Sequence, residues 1–354
     1  MFETIGMIIQ FLPFIVIMFA ANLSQRLRER EMPYLPPALL AYAMVGVLHL
    51  FFALIGLAFL IVLARAQSQP DLLAQFETMT GMKIDSWNWL GWGALIPALC
   101  GLVLLLKPVR TVAGRLLAID PANPVHAVSL SMTMFVPINL ALTLGIGLNN
   151  LSTQIAQRTE VTGQPPITLP VLWTQALMLV LLAFIGAGWL TRRSWGEVMV
   201  RLGIVLPTRR QLLIGIGWAL VLVPVVIVVE AGARAVGAGF DQDVESLAEQ
   251  LIGPLFGNPL GILSIGLAAA IGEEAVFRGA AQPRLGIVVT ALLFALLHSN
   301  YGITLSTLIV ALLGGVLGII RIRYNTTTAM ITHAIYNSTL ALLAAFASQW
   351  IGQQ

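Results

Sequence analysis

Charge is scarce in this chain, and cysteine is nearly absent. Only 10% of its 354 residues are charged, 58% are hydrophobic, and the mean hydropathy is +0.89. A soluble domain carries roughly 25% charged residues, so the composition excludes a globular protein surrounded by water. Cys100 is the single cysteine. With no partner and no CxxC, it excludes an internal disulfide and argues against thiolate redox or metal chemistry. Set in an apolar run, it reads as a small buried hydrophobe. HExxH and GxSxG are both missing, and no internal repeat of the kind that marks many transporters is visible.

Long apolar runs are what the chain does have. The segments 5–22, 37–64, 88–106, 127–149, 170–191, 212–233, 259–282, 286–300, 303–320 and 327–349 are each apolar. They predict an all-α polytopic membrane protein of about nine or ten transmembrane helices, with the lipid bilayer as its surroundings. The loops alternate in charge. One set holds Arg26, Arg28, Arg30, Lys107, Arg110, Arg115, Arg192, Arg193, Arg201, Arg209, Arg210, Arg278, Arg284, Arg321 and Arg323, which is 15 of the 19 basic residues. The other holds Arg65, Lys83, Arg158, Arg234 and the acidic stretch "DQDVESLAEQ". The positive-inside rule makes the first set cytoplasmic and places both termini outside. The pI of about 9.3 therefore reflects topology, and no nucleic-acid partner is expected. The first span has an acidic front, Glu3, with arginines behind it. This is the flank pattern of an anchor with its N-terminus outside rather than of a cleaved signal peptide. In a bacterium the expected location is the plasma membrane.

Residues 1–165 read as an N-terminal extension of about four helices without a catalytic motif. His49, inside an apolar run, and His126, after "DPANP", read there as structural histidines. "TGQPPITLP" is a plausible break, and 166–354 form the second part, expected to hold a catalytic helix bundle. "TRRSWGEVMVRLGIVLPTRRQ" predicts a short amphipathic helix at the cytoplasmic interface, and "VESLAEQLIGPLF" another on the outer side.

Ionisable residues inside a membrane are costly and mark function by default. They gather in "GEEAVFRG", "FALLH" and "HAIYN". Glu274 and Arg278 are four apart and share one helical face, so they neutralise one another. Glu273 lies about 140° from Arg278 and is left without a cation on its own helix. Desolvation pushes such a carboxylate's pKa upward, toward that of a general base. His333 and Asn337 are also four apart, as are Phe294 and His298. "PRLG" is a turn signal at 283–286. Counting from it, Glu273 and His298 both sit roughly 18–20 Å deep, and His333 with Asn337 reach a similar depth from the turn "RIRYNTT". "SNYG" ends a short helix directly after His298, which points to a polar cavity there.

A buried carboxylate and a histidine at one depth can hold and deprotonate a water. A His and an Asn on one face can donate to an oxyanion. Together they are what amide hydrolysis requires. Glu plus two His could instead hold Zn²⁺, but Asn337 would be an unusual ligand, and no cofactor is expected. A transporter with a buried Glu/His path is the rival of a different class.

The order EExxxR, FxxxH, HxxxN on successive membrane helices resembles the CAAX protease and bacteriocin-processing (CPBP, or Abi) family. The matching residues are Glu273, Glu274 and Arg278; Phe294 and His298; His333 and Asn337. The likeness covers roughly residues 195–345 and includes the glycine-rich "LLGGVLGIIRIRYNTTTAMITHAIYN". It implies an intramembrane glutamic-type endopeptidase acting on a membrane-embedded or lipidated peptide or protein. The eukaryotic branch trims the last three residues of prenylated CAAX proteins, and other members process peptides or serve in bacteriocin immunity. By this resemblance Glu273 with His298 activates the water, His333 and Asn337 form the oxyanion hole, and Glu274 with Arg278 holds the site together. A catalytically silent binding or immunity protein of the same fold is a further alternative.

Overall fold

The computed structural model describes residues 2–69, 71, 74, 75, 77, 78, 84–237 and 241–351. Lys83, assigned above to the sparsely charged side, lies outside them. The described residues form helices, with no named strand and one isolated bridge, Trp189–Arg193. In chain order these are α1 (Phe2–Glu29), α2 (Leu35–Gln67), α3 (Ile84–Leu104), α4 (Lys107–Ala113), α5 (Pro124–Met132), α6 (Phe135–Ile146), α7 (Leu148–Thr162) and α8 (Leu169–Gly186). Then come α9 (Trp195–Leu202), α10 (Arg209–Ala235), α11 (Gln242–Ile252), α12 (Pro259–Glu274), α13 (Gln282–Leu297), α14 (Leu305–Arg323) and α15 (Thr326–Ile351).

Nine segments among the described residues are long and apolar enough to cross a membrane. One of them, Pro259–Leu297, runs through α12 and α13 as 39 residues. It is broken by Gly286, whose φ of 77° and ψ of 173° are not helical. Only a residue without Cβ adopts that conformation at little cost. Beyond it the chain returns, since Phe294 packs against Phe277 and Arg278. The turn expected at 283–286 is therefore this glycine, and the limb beyond it, which ends at Leu297, is short.

The outer surface is apolar, as lipid requires: Leu39, Val47 and Leu54 of α2 are exposed. Cys100 is exposed too, a correction to the buried position expected of it. In a chain with an apolar solvent, an apolar run does not mark the inside. The interior is built from small residues and close helix contacts. At Gly266 of α12 a Cβ would lie 2.5 Å from the Ala334 carbonyl oxygen of α15. This glycine lets the helix bearing the two glutamates seat against the one bearing His333.

In the N-terminal half α1 packs on α2, α5 and α8, and α3 packs on α2 and α6. In the C-terminal half α12 packs on α15, α13 on α14, and α10 on α15. α8 joins the halves, touching both α1 and α12. α9 lies between α8 and α10, opened by a capping box in which Ser194 and Glu197 bond each other's backbone N–H. It buries Val198 and Leu202 and stops at Gly203 (φ 69°). α11 is capped by Asp241 and buries Val244 and Leu247. Both short amphipathic helices expected from the sequence are thus present.

Candidate active site

α12 ends in Glu273 and Glu274. Directly after them the backbone widens into a π segment, Ala275–Ala281, which carries Arg278. Such widened turns are rare and are frequent at functional sites. Glu274 and Arg278 are 0% and 1% exposed at the side chain, with Oε1 and Nη1 3.0 Å apart. Nη1 makes no well-aligned hydrogen bond, so the contact is an ion pair of imperfect geometry. The guanidinium is held further by Nη2 donating to the Gly314 carbonyl at 3.1 Å and by the Phe294 ring, 4.3 Å beneath it. Arg321 Nε in turn donates to the Arg278 carbonyl at 3.1 Å. α14 therefore secures the π segment from its other side.

His333 of α15 completes this core. Its Nδ1 lies 2.9 Å from Glu274 Oε1, and its Nε2 lies 3.9 Å from Glu273 Oε2. An ionised carboxylate only accepts, so Nδ1 carries the proton and donates to Glu274. Glu273 Oε2 is buried and makes no hydrogen bond within the protein. The separation of the two glutamates follows from contacts rather than from the 140° offset expected of a regular helix. The i→i+5 ladder of a π turn brings positions five apart back to one face, so that angle does not apply across Arg278. Glu274 Oε1 is drawn into a three-way contact with Arg278 and His333, while its Oε2, like Glu273 Oε2, makes no hydrogen bond within the protein. What sets Glu273 apart is that its nearest cationic partner is His333 Nε2 at 3.9 Å.

His298 stands at the end of α13, where the backbone leaves the helix for the 3₁₀ turn Ser299–Tyr301. Its Nδ1 lies 2.8 Å from the Phe294 carbonyl. A carbonyl accepts, so this nitrogen holds the proton and Nε2 keeps a lone pair. The Phe294 ring lies 4.8 Å from His298 and 6.0 Å from His333 and is the wall they share. No hydrogen bond joins His298 to Glu273. Asn337, one turn beyond His333, is half-buried and makes no side-chain hydrogen bond among the described residues. Glu273, Glu274, Arg278 and His333 are thus in one cluster, His298 is connected through Phe294, and Asn337 follows on the face of His333. Among the described residues no three His, Cys, Asp or Glu side chains converge as metal ligands would.

Sequence reasoning missed the support of the His298 loop. Tyr301 lies parallel to the His298 ring at 5.9 Å. Burial, with the negative charge of Glu273, pushes its phenol up, so it stays a neutral hydroxyl. From the other half of the chain, Asn139 Nδ2 and Thr143 Oγ1 of α6 each donate to Ser299 Oγ at 2.9 Å. Their i,i+4 spacing was a weak signal, and nothing local connected it to a residue about 160 positions away.

Residues 255–339 match the family model described as type II CAAX prenyl endopeptidase, Rce1-like. This segment belongs to the CAAX-protease family. It is narrower than the 195–345 over which the wording is similar, but it holds all six residues named above. The CAAX-protease segment comprises the helices of the site, from α12 to the first half of α15, and α1–α8 lie outside it. No curated protein and no solved structure matches the chain.

Proposed function

We propose that the chain is an intramembrane endopeptidase that cleaves a peptide bond of a membrane-associated or lipidated protein by activated water. Residues 166–354 serve as its protease core and 1–165 as an extension that supports the core. The observation that carries this reading is the free oxygen of Glu273, buried beside a histidine that a second glutamate already holds. Glu273 takes the proton of a water, and His298 Nε2 orients that water from the next helix. The hydroxide adds to the scissile carbonyl. The proton then passes to the leaving amine as the C–N bond breaks. Asn337 Nδ2–H is free to donate to the oxyanion. For His333 to share that role it must be an imidazolium, with Nδ1–H on Glu274 and Nε2–H facing the site. Glu274 and Arg278 fix the frame and do not touch the substrate. In this reading the mouth of the site faces the cytoplasm and both termini lie outside, which the arginine-rich ends of the helices support.

The test compares purified wild type, Glu273→Gln and His298→Ala on peptides with a C-terminal CAAX sequence, farnesylated and not, with and without chelator. Cleavage by wild type alone, insensitive to chelator, is expected. Equal cleavage by Glu273→Gln would remove the proposed base. Loss on chelation with recovery on Zn²⁺ would transfer the chemistry to a metal. No cleavage of any peptide by wild type would favour the silent binding protein.

A further inference from the structure

A cavity of about 300 Å³ lies between α1, α5, α8 and the back of the π segment. None of the six site residues lines it. Its deeper wall is apolar, with Leu179, Leu182, Val276, Phe277 and Leu297 among its residues. Its other end holds Arg192, Arg193, Arg201, Arg284 and His126, and no Asp or Glu side chain.

The polar end consists of donors. His126 Nδ1 accepts the Asp120 backbone N–H at 2.8 Å, which leaves its Nε2–H to donate. Each guanidinium is tethered to a neutral oxygen with donors to spare. Arg201 Nη1 reaches the Gly279 carbonyl and Arg284 Nη1 the Ala118 carbonyl, both at 3.2 Å. Arg193 Nη1 bonds the Ala187 carbonyl, and Arg192 holds Asn22 Oδ1 through Nε and Nη2. Only Arg192 has a carboxylate in reach, Glu29 at 3.3 Å. Burial and the neighbouring arginines, Arg284 first, push Arg201 down to about 10, so it remains a cation at neutral pH. Basic residues at a membrane boundary usually point away from one another into water. Here four half-buried ones converge on one cavity, whereas Arg209 and Arg210 at the start of α10 are exposed.

We propose that this cavity binds an acidic phospholipid, with its phosphate among Arg192, Arg193, Arg201, Arg284 and His126 Nε2–H and part of an acyl chain along α8 and the π segment. Guanidinium forks match phosphate oxygens, and basic pockets between membrane helices suit anionic headgroups. The apolar wall selects an amphiphile over a free anion. The bound lipid presses on Val276 and Phe277 of the π segment, and the Phe277 ring in turn lies 6.0 Å from the Arg278 guanidinium.

The full chain in detergent is titrated with dye-labelled phosphatidylglycerol, with unlabelled phosphatidylglycerol, phosphatidylcholine or inorganic phosphate as competitor. Phosphatidylglycerol should displace the probe at concentrations at least tenfold below phosphatidylcholine, and phosphate at matched concentration should not. Arg201→Gln with Arg284→Gln should weaken binding by about 25-fold, at about fivefold per arginine. Arg201→Lys with Arg284→Lys should keep most of it, and Arg209→Gln with Arg210→Gln should change nothing. Equal competition by the two lipids, or equal binding by the Arg201/Arg284 glutamine pair and the Arg209/Arg210 pair, would overturn the site. Displacement by phosphate as effective as by lipid would reduce it to a free-anion site and overturn the lipid assignment. A melting curve for each variant in the same detergent separates lost binding from lost fold, and the lysine pair carries the charge test if the glutamine pair unfolds. The readout is binding, so it stands or falls apart from peptidase activity.

Discussion

Two buried histidines, one in each half of the molecule, show what separates packing from chemistry. His49 of α2 is fully buried and stacks on Phe135 at 4.3 Å with the rings 3° from parallel. Its Nε2 lies 2.9 Å from Ser131 Oγ, which itself donates to the Gly101 carbonyl. A Cβ on Gly101 would collide with the imidazole, so the ring fills a fitted slot. His333 is equally buried, yet it sits between two carboxylates with a guanidinium behind one of them. His49 is surrounded by neutral groups that hold it in place. His333 is surrounded by charges whose balance changes when a proton moves. In a medium of low dielectric such charges interact strongly, which makes the second cluster costly to build and suited to reaction.

Removing the free carboxylate tests that contrast most sharply. Glu273→Gln should lower kcat on the order of 10²-fold or more while the melting temperature stays near wild type. Substituting its neighbour should do the reverse in emphasis. Glu274→Gln leaves Arg278 buried without its partner, and loss of about 3–5 kcal/mol of stability is expected, read from unfolding in mixed detergent. His49→Ala should cost about 2 kcal/mol, from the lost ring and the hydrogen bond that Ser131 Oγ no longer accepts. The folded fraction should keep wild-type kcat. A large fall in specific activity there would erase the distinction between the two histidines. Asn139→Ala should lower kcat on the order of tenfold with KM unchanged, since a loosened Ser299 misplaces His298. The smallest effect is expected at α9. Backbone and side-chain bonds from Ser194 hold the Glu197 carboxyl below its ordinary 4.5. A depressed carboxylate adds stability above the unfolded value and loses it as the pH falls through the folded one. Glu197→Gln should therefore lower the melting temperature slightly at pH 7, and the difference should vanish in acid well below pH 4.5.

Much of the architecture was legible because a bilayer permits few solutions. Runs of about 20 apolar residues must cross as helices, and a proline followed three residues later by glycine in "PRLG" marked the reversal now seen at Gly286. The pairing of Glu274 with Arg278 was legible from spacing alone. Other contacts were not. Nothing in "AVFRGAA" announces a π turn, so the 140° offset expected of a regular helix does not describe how Glu273 lies relative to Arg278. The bond from His333 to Glu274 depends on how closely α12 and α15 approach, which small residues such as Gly266 permit but do not specify. The contact of α6 with Ser299 joins segments that share no local pattern. The inward convergence of four arginines from one loop and two helices was hidden behind the topological rule that explains basic residues in general.

The π segment makes the length of this stretch part of its chemistry. A π turn is formed by carrying one residue more than the α-helix around it needs. Deleting a single residue from Ala275–Ala281 would let the strained ladder relax into an ordinary helix. Everything beyond it would then rotate by about 100° and slide by about 1.5 Å relative to α12, carrying α13 with Phe294 and His298 out of register with Glu273, while Arg278, still three or four residues from Glu274, could keep its ion pair. The protein that resulted would be more regular, and the two helices that carry the site would no longer be in register.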